Sequence, residues 1–143
     1  MKKIVIYILL IVLTLVAIIG ANVYNYNIKK NEAIRNNKQY ESFYEVEILG
    51  TDLASLINKI EDINQKNNIE KDENGKYIDN KENSIKLEVK FLETEEIIQL
   101  EIIKKLGMIQ FIKNFGTMSF KCTKIEYHQK TGKIKYMLFE QMN

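Results

Sequence analysis

The chain of 143 residues contains no proline and no tryptophan, and only one cysteine (Cys122), one histidine (His128) and one arginine (Arg35). Each shortage removes a class of chemistry. A single cysteine cannot close an internal disulfide and is expected to be buried as a small apolar side chain. One cysteine and one histidine make a tetrahedral zinc site implausible, because most of its ligands would have to be carboxylates. They also fail as a nucleophile and base: six residues along one strand, at about 3.3 Å each, hold them roughly 20 Å apart. His128 is expected as a solvated residue at a hairpin rim, and no serine comes within its view in the sequence. The six glycines, Gly20, Gly50, Gly75, Gly107, Gly116 and Gly132, are scattered, so there is no glycine-rich phosphate loop.

Charge excess is also missing. All 19 acidic residues lie beyond residue 31, and without Lys2 and Lys3 the 21 basic residues fall to 19, so the rest of the chain is balanced. A nucleic-acid binder needs a basic stripe, since phosphate contacts supply most of its affinity, and a lone arginine cannot build a base-reading or phosphate-clamping fork. No nucleic-acid partner is expected. The abundance of Ile, Lys and Asn reads first as a bias of the coding nucleotides.

What is present begins with residues 4–21, IVIYILLIVLTLVAIIGA, 18 consecutive uncharged residues. As a helix they span about 27 Å, close to the hydrocarbon thickness of about 30 Å. Tyr7 near one end, and Tyr24 and Tyr26 past the other, suit the membrane interface. Residues 1–22 are therefore expected to be an uncleaved single-pass signal-anchor, with the lipid bilayer as partner through residues 4–21. A cleaved signal peptide shares the basic start, but its apolar middle is usually shorter, and Ile19 stands where a cleavage site wants a small residue. No cysteine follows the run for lipid attachment.

Lys29, Lys30, Arg35 and Lys38 follow the span, so a strict count of Lys and Arg would make the C-terminal side cytoplasmic. Lys2 and Lys3 directly abut the apolar run in the form of an export signal, and Lys29 comes eight residues after Ala21; on that ground the domain is expected outside the cytoplasm. The 15 asparagines form no Asn-x-Ser/Thr acceptor, which argues against a glycosylated secretory protein.

Residues 23–45 form the next unit, a helical stem or a linker. The absence of Gly and Pro from 23 to 44, with Ala33, Ile34, Tyr40, Phe43 and Tyr44 roughly on one side, favours a helix, although the half over residues 25–38 is too polar to bury much surface.

Residues 46–143 are expected to form one α+β domain with an antiparallel sheet of about four strands packed by one or two helices. Gly50-Thr51-Asp52 predicts a helix start with Thr51 as N-cap. Leu53, Leu56, Ile57, Ile60 and Ile63 or Asn64 give its apolar stripe, and Asn67-Asn68 its end. Asn74-Gly75 predicts a type I′ turn; a calcium loop through Asp72, Asn74, Asp79, Asn80 and Glu82 fits poorly, because Gly75 comes two positions too early.

In residues 84–91, Ile85, Leu87, Val89 and Phe91 alternate with Lys86, Glu88 and Lys90, which predicts a strand with one core face and one wet face. Residues 96–103 are read as a second strand, paired through a turn at 93–95, although Ile98, Ile102 and Leu106 also fit a helix. Met108, Ile109, Ile112 and Phe115 mark a short helical stripe. A final hairpin, residues 120–127 and 133–139 around a turn at 128–132, has no clean solvent side, which places it centrally in the sheet. Its parity change predicts a bulge near Thr123 and Lys124, or else cover on both faces.

A hydrophobic N-terminal helix, a stem and an antiparallel sheet resemble the general plan of type IV pilin-like subunits. The resemblance covers architecture alone: no small residue precedes the apolar run and no glutamate lies within residues 4–21, so no residue role follows, and it adds weight only to a subunit or assembly role. Adjacent carboxylates, Glu61-Asp62 and Glu95-Glu96, give no sign of converging. The expected function is therefore a non-catalytic cell-membrane protein acting through contact with another envelope protein or with its own copies. The alternatives are an extracytoplasmic ligand-binding module, with Tyr77, Tyr127 or Tyr136 lining its pocket, and a carboxylate-based enzyme. No catalytic, cofactor or metal residues are singled out.

Overall fold

The structure, a computed structural model, describes residues 2–94 and 96–143. Glu95, and with it part of the expected 93–95 turn and the Glu95-Glu96 pair, lies outside them. The elements in chain order are α1 (Lys2–Glu41), β1 (Glu47–Leu49), α2 (Gly50–Lys66), β2 (Lys86–Lys90), β3 (Ile97–Gln99), α3 (Leu100–Leu106), α4 (Met108–Phe115), β4 (Ser119–Tyr127) and β5 (Ile134–Gln141). This is an α+β fold: a long apolar helix, then a small domain whose mostly antiparallel sheet is packed by helices.

No residue breaks α1, so the apolar run and the stem are one helix. It is long and apolar enough to cross a membrane, and its side chains from residue 3 to 32 are exposed. Beyond that point the helix joins the domain. Ala33, Asn37 and Tyr40 are buried. Asn37 donates from Nδ2 to the Gly132 carbonyl at 2.7 Å and accepts from the Ile134 amide at 2.9 Å. Lys59 of α2 closes the contact, donating to Gln39 at 2.8 Å with its ammonium 5.7 Å from the Tyr40 ring centre.

The strand order is β1-β4-β5-β2-β3. The β4–β5 hairpin is thus inside the sheet, as its two covered faces predict, and its register shifts between Cys122 and Lys124, where the parity change asked for a bulge. Two features exceed the sequence expectation. There are five strands, because the short edge strand β1 adds to β4. And β2 pairs with β5 in parallel, the other pairs being antiparallel.

One face of the sheet carries the core. Ile85, Leu87, Val89 and Phe91 from β2 and its ends meet Phe120 and Cys122 of β4 and Met137 and Phe139 of β5, under Leu53, Ile57 and Ile60 of α2. The rings of Phe91, Phe111, Phe115 and Phe120 meet in tilted and edge-on pairs at centroid distances of 4.7 to 6.3 Å. Helix α2 ends as its asparagines suggest, with Asn68 at φ 53°.

Several local expectations are corrected. Thr51 is not the N-cap: α2 begins at Gly50 with no side-chain cap. Its first amides instead reach across the fold, Gly50 to the Met118 carbonyl at 2.9 Å and Thr51 to the Gly116 carbonyl at 3.1 Å. A Cβ at Gly50 would collide with the Phe115 carbonyl, so glycine is needed there for close approach. The turn at Asn74-Gly75 is not type I′, since of the two only Gly75 has positive φ; the Asp72 carboxylate organises it by accepting from the Asn74 and Lys76 amides.

The expected strand over residues 96–103 is only partly present, and the alternative stripe of Ile98, Ile102 and Leu106 is not the buried one, since Ile102 and Leu106 are exposed. The strand lasts for Ile97–Gln99, and α3 then turns Leu100 and Ile103 into the core at a spacing of three. In α4 the buried side chain is Phe111, with Met108 and Phe115 packed beside it, while Ile109 is 86% exposed. Apolar residues lie on two faces of this helix, and docking on the phenylalanine cluster selects one. The wet face of β2 is also only partly wet, since the Glu88 side chain keeps 13% of its exposure.

Candidate functional site

Three places bring chemistry-bearing side chains together. The first is the hairpin turn between β4 and β5. His128 is buried, 2% exposed, which overturns its expected place in solvent. Its Nε2 lies 2.7 Å from the Ser84 carbonyl and its Nδ1 3.7 Å from Asp79. Ser84 Oγ in turn donates to Asp79 at 3.1 Å. Serine, histidine and aspartate therefore do meet, 44 residues apart in the chain, which spacing in sequence could not show.

Their wiring is wrong for acyl transfer. A base must take the proton of the serine hydroxyl. Here the imidazole engages the serine's backbone carbonyl, and the hydroxyl engages the aspartate and accepts from the Asn80 amide at 3.2 Å. Burial raises the Asp79 carboxyl, but bonds from Lys81 and Ser84 and the nearby His128 outweigh it and hold it below its usual value. The cluster pins the 79–84 loop to the hairpin.

The second place is a polar cleft of about 420 Å³ on the sheet face away from α2, lined by Tyr77, Ser84, Glu88, Glu126 and Tyr136 among others. Tyr136 donates to Glu88 at 2.7 Å, and the Lys86 and Lys124 ammoniums lie 5.9 and 5.6 Å from its ring centre. Glu88 also takes Lys86 at 2.7 Å and Gln99 at 3.2 Å; Glu126 takes Lys124 at 2.7 Å and Lys135 at 3.3 Å. Burial opposes ionisation of Glu88, yet its bonds from Lys86, Tyr136 and Gln99 keep the carboxyl below its ordinary range. Burial, and then the bond to Glu88, push the Tyr136 phenol up. Efficient general acids and bases at neutral pH need values near 7; this cleft moves its carboxyl and phenol away from that point.

The third place is apolar. A cleft of about 280 Å³ is walled by Phe91, Ile98, Ile103, Phe111, Phe115 and Met118, with Glu93 and Glu96 the charged residues on its lining. Leu106, on its lining, is 71% exposed. The sequence hid this site, because it forms where β2 ends and β3 begins and where α3 meets α4 at Gly107, whose φ is 104°.

The cleft's position follows from the contacts of α1. Going up the helix and its continuation, Asn37 meets Gly132, Glu41 meets Tyr127 and Glu45 meets Cys122. β4 therefore runs toward the apolar end of α1 and β5 away from it. Gln141 and Met118, which line the apolar cleft, lie at the far end of the sheet.

Among the described residues, no group of three His, Cys, Asp or Glu is placed to hold a metal ion. Of the expected pocket tyrosines, Tyr77 and Tyr136 share the polar cleft, while Tyr127 bonds Glu41 at 2.9 Å elsewhere. Glu61 spends its carboxylate on Lys104 at 2.8 Å and Lys71 at 3.9 Å. Comparison with protein-family models, with curated proteins and with solved structures gives no match.

Proposed function

We propose that the chain is a single-pass cell-membrane protein, anchored through residues 4–21, whose extracytoplasmic domain works without catalysis by holding an apolar segment of another envelope protein. The observation that carries this reading is the apolar cleft at the end of the sheet opposite the stem. Exposed apolar surface rimmed by polar residues marks interaction sites. With Glu93 and Glu96 at the rim, the complementary partner is a segment with lysine or arginine beside a large apolar side chain. The export-like Lys2-Lys3 head supports the outward orientation, and the depressed carboxyls of the polar cleft support a non-catalytic role.

A photo-crosslinking residue at Gln110, which is exposed and lines the cleft, in the full-length protein in intact cells, tests the contact. An adduct of one discrete mass is expected, abolished by Leu106→Glu, while the same residue at exposed Asn58 of α2 gives none. Lack of an adduct at 110 in membrane-retained protein would overturn the reading; an adduct of doubled mass would replace the envelope partner with a second copy. Protease added outside the cells should remove the domain, and protection until lysis would reverse the orientation.

A second reading, an extracytoplasmic ligand-binding module, has the concave cleft at Tyr77 and Tyr136 in its favour. Against it stands the pairing of Glu88 and Glu126 with the cleft's own lysines. Tyr136→Phe should leave the crosslink intact, and its loss would move the binding site to this cleft.

A further inference from the structure

On the side of the domain nearest the apolar run, two loops lie against the stem. A cleft there is lined by Tyr26, Lys29, Lys30 and Glu32 of α1 together with Glu82, Asn83 and residues 129–133. Thr131 Oγ1 donates to the Glu82 carbonyl at 2.6 Å, and Lys130 pairs with the Glu82 carboxylate, so the loops move as one piece. His128, bound to the Ser84 carbonyl at 2.7 Å, fixes them from inside.

Helix geometry gives the height of this face. Counting about 1.5 Å per residue from Ala21, Tyr26 stands about 7 Å and Lys30 about 13 Å beyond the hydrocarbon edge. The headgroup layer occupies about 5–7 Å of that, so the loops beside Tyr26 to Lys30 begin at its outer boundary. The separation is within one Debye length, about 8 Å at physiological salt.

We propose that this face of the domain docks on anionic phospholipid headgroups through Lys29, Lys30, Lys130 and Lys133. The proposal rests on α1 spanning the bilayer, as read above. Glu32 and Glu82 offset two of the four positive charges. Each lysine left over is worth a factor of about five in partitioning to an anionic surface. The domain is then held against the bilayer in a fixed pose, with the apolar cleft facing away from it.

Full-length protein reconstituted in phosphatidylcholine vesicles, with or without one-quarter phosphatidylglycerol, is treated with acetic anhydride, an uncharged acylating reagent. Acetylation is read lysine by lysine by mass spectrometry. Lys130 and Lys133 should label several-fold more slowly in the anionic vesicles, while exposed Lys105 and Lys113, at the other end of the domain, label equally in both. The difference should vanish at high salt, and in the double variant Lys130→Gln and Lys133→Gln the slowing at Lys29 and Lys30 should weaken. Equal labelling of Lys130 and Lys133 in the two vesicle types, with the protein still retained after carbonate flotation, would overturn the docking alone. Release by carbonate from both would overturn the spanning helix, and the docking with it.

Discussion

The side-chain amide of Asn64 pairs with both backbone groups of Ile85, accepting from its amide at 2.9 Å and donating to its carbonyl at 2.7 Å. Asn64 is fully buried at the end of the α2 stripe, and Ile85 opens the buried row that continues through β2. One polar residue thereby fixes where α2 lies along the sheet. Asn64→Leu replaces the amide with an apolar side chain and orphans two buried groups, at about 1–3 kcal/mol each. A clear fall in the urea midpoint is expected, while Ser55→Ala on the exposed face of α2 should move it by less than about 0.5 kcal/mol.

Leu87 is fully buried in the same row. Leu87→Ala should cost about 2–5 kcal/mol through lost burial and a residual cavity. Alternation alone would make Glu88→Gln nearly silent, but its bonds to Lys86, Tyr136 and Gln99 raise the expected cost to about 1 kcal/mol. The folded Glu88 carboxyl titrates below its ordinary range, so its contribution is complete above that range and is lost as pH falls through the folded value. Stability curves should therefore show a shallower acid decline in Glu88→Gln than in the parent.

Burial pushes the Cys122 thiol up to about 11, outweighing a backbone hydrogen bond at Lys124 that lowers it. Iodoacetamide at pH 8 should leave the folded protein unmodified and alkylate it fully in denaturant. The sign for stability follows: the unfolded thiol ionises first, so stability declines as pH rises from the ordinary thiol value toward 11. Rapid alkylation under native conditions would contradict the burial of Cys122.

Gly50→Ala provides a test of opposite sign. In an open helix the change is favourable by up to about 1 kcal/mol. At Gly50 the added carbon meets the Phe115 carbonyl, so a loss of about 1–3 kcal/mol is expected on thermal unfolding.

Several features were legible in the chain because their physical cause is local. The apolar run and the unbroken stem follow from the absence of charge, Gly and Pro over fixed spans. The buried row of β2 follows from alternation, and the stripe of α2 from spacings of three and four. The bulge at Cys122 and Lys124 was visible as a parity change, since side chains in a strand cannot switch faces without one.

What escaped the sequence is what long-range contact decides. Thr51 lost its capping role because the Gly116 and Met118 carbonyls reached the helix start first. His128 is buried because Ser84, far away in the chain, offers it a carbonyl. Helix α4 had two apolar faces and only the phenylalanine cluster chose between them, leaving Ile109 outside. Residues 96–103 fitted a strand or a helix, and the structure divides them, turning Leu100 and Ile103 inward rather than Ile102 and Leu106.

By itself the sequence determined a membrane-length helix, its continuation as a stem, and an α+β domain with little inventory for catalysis, because periodicity, charge and the count of Cys, His and Arg are properties of the chain alone. The tertiary structure decided the parallel pairing of β2 with β5, the Asn37 and Tyr40 contacts that fix the domain to the stem, and the placing of an apolar cleft at one end of the sheet and a lysine-bearing face at the other. Those depend on which segments meet in space, and segments many tens of residues apart carry no mark in the sequence of the partner each will find.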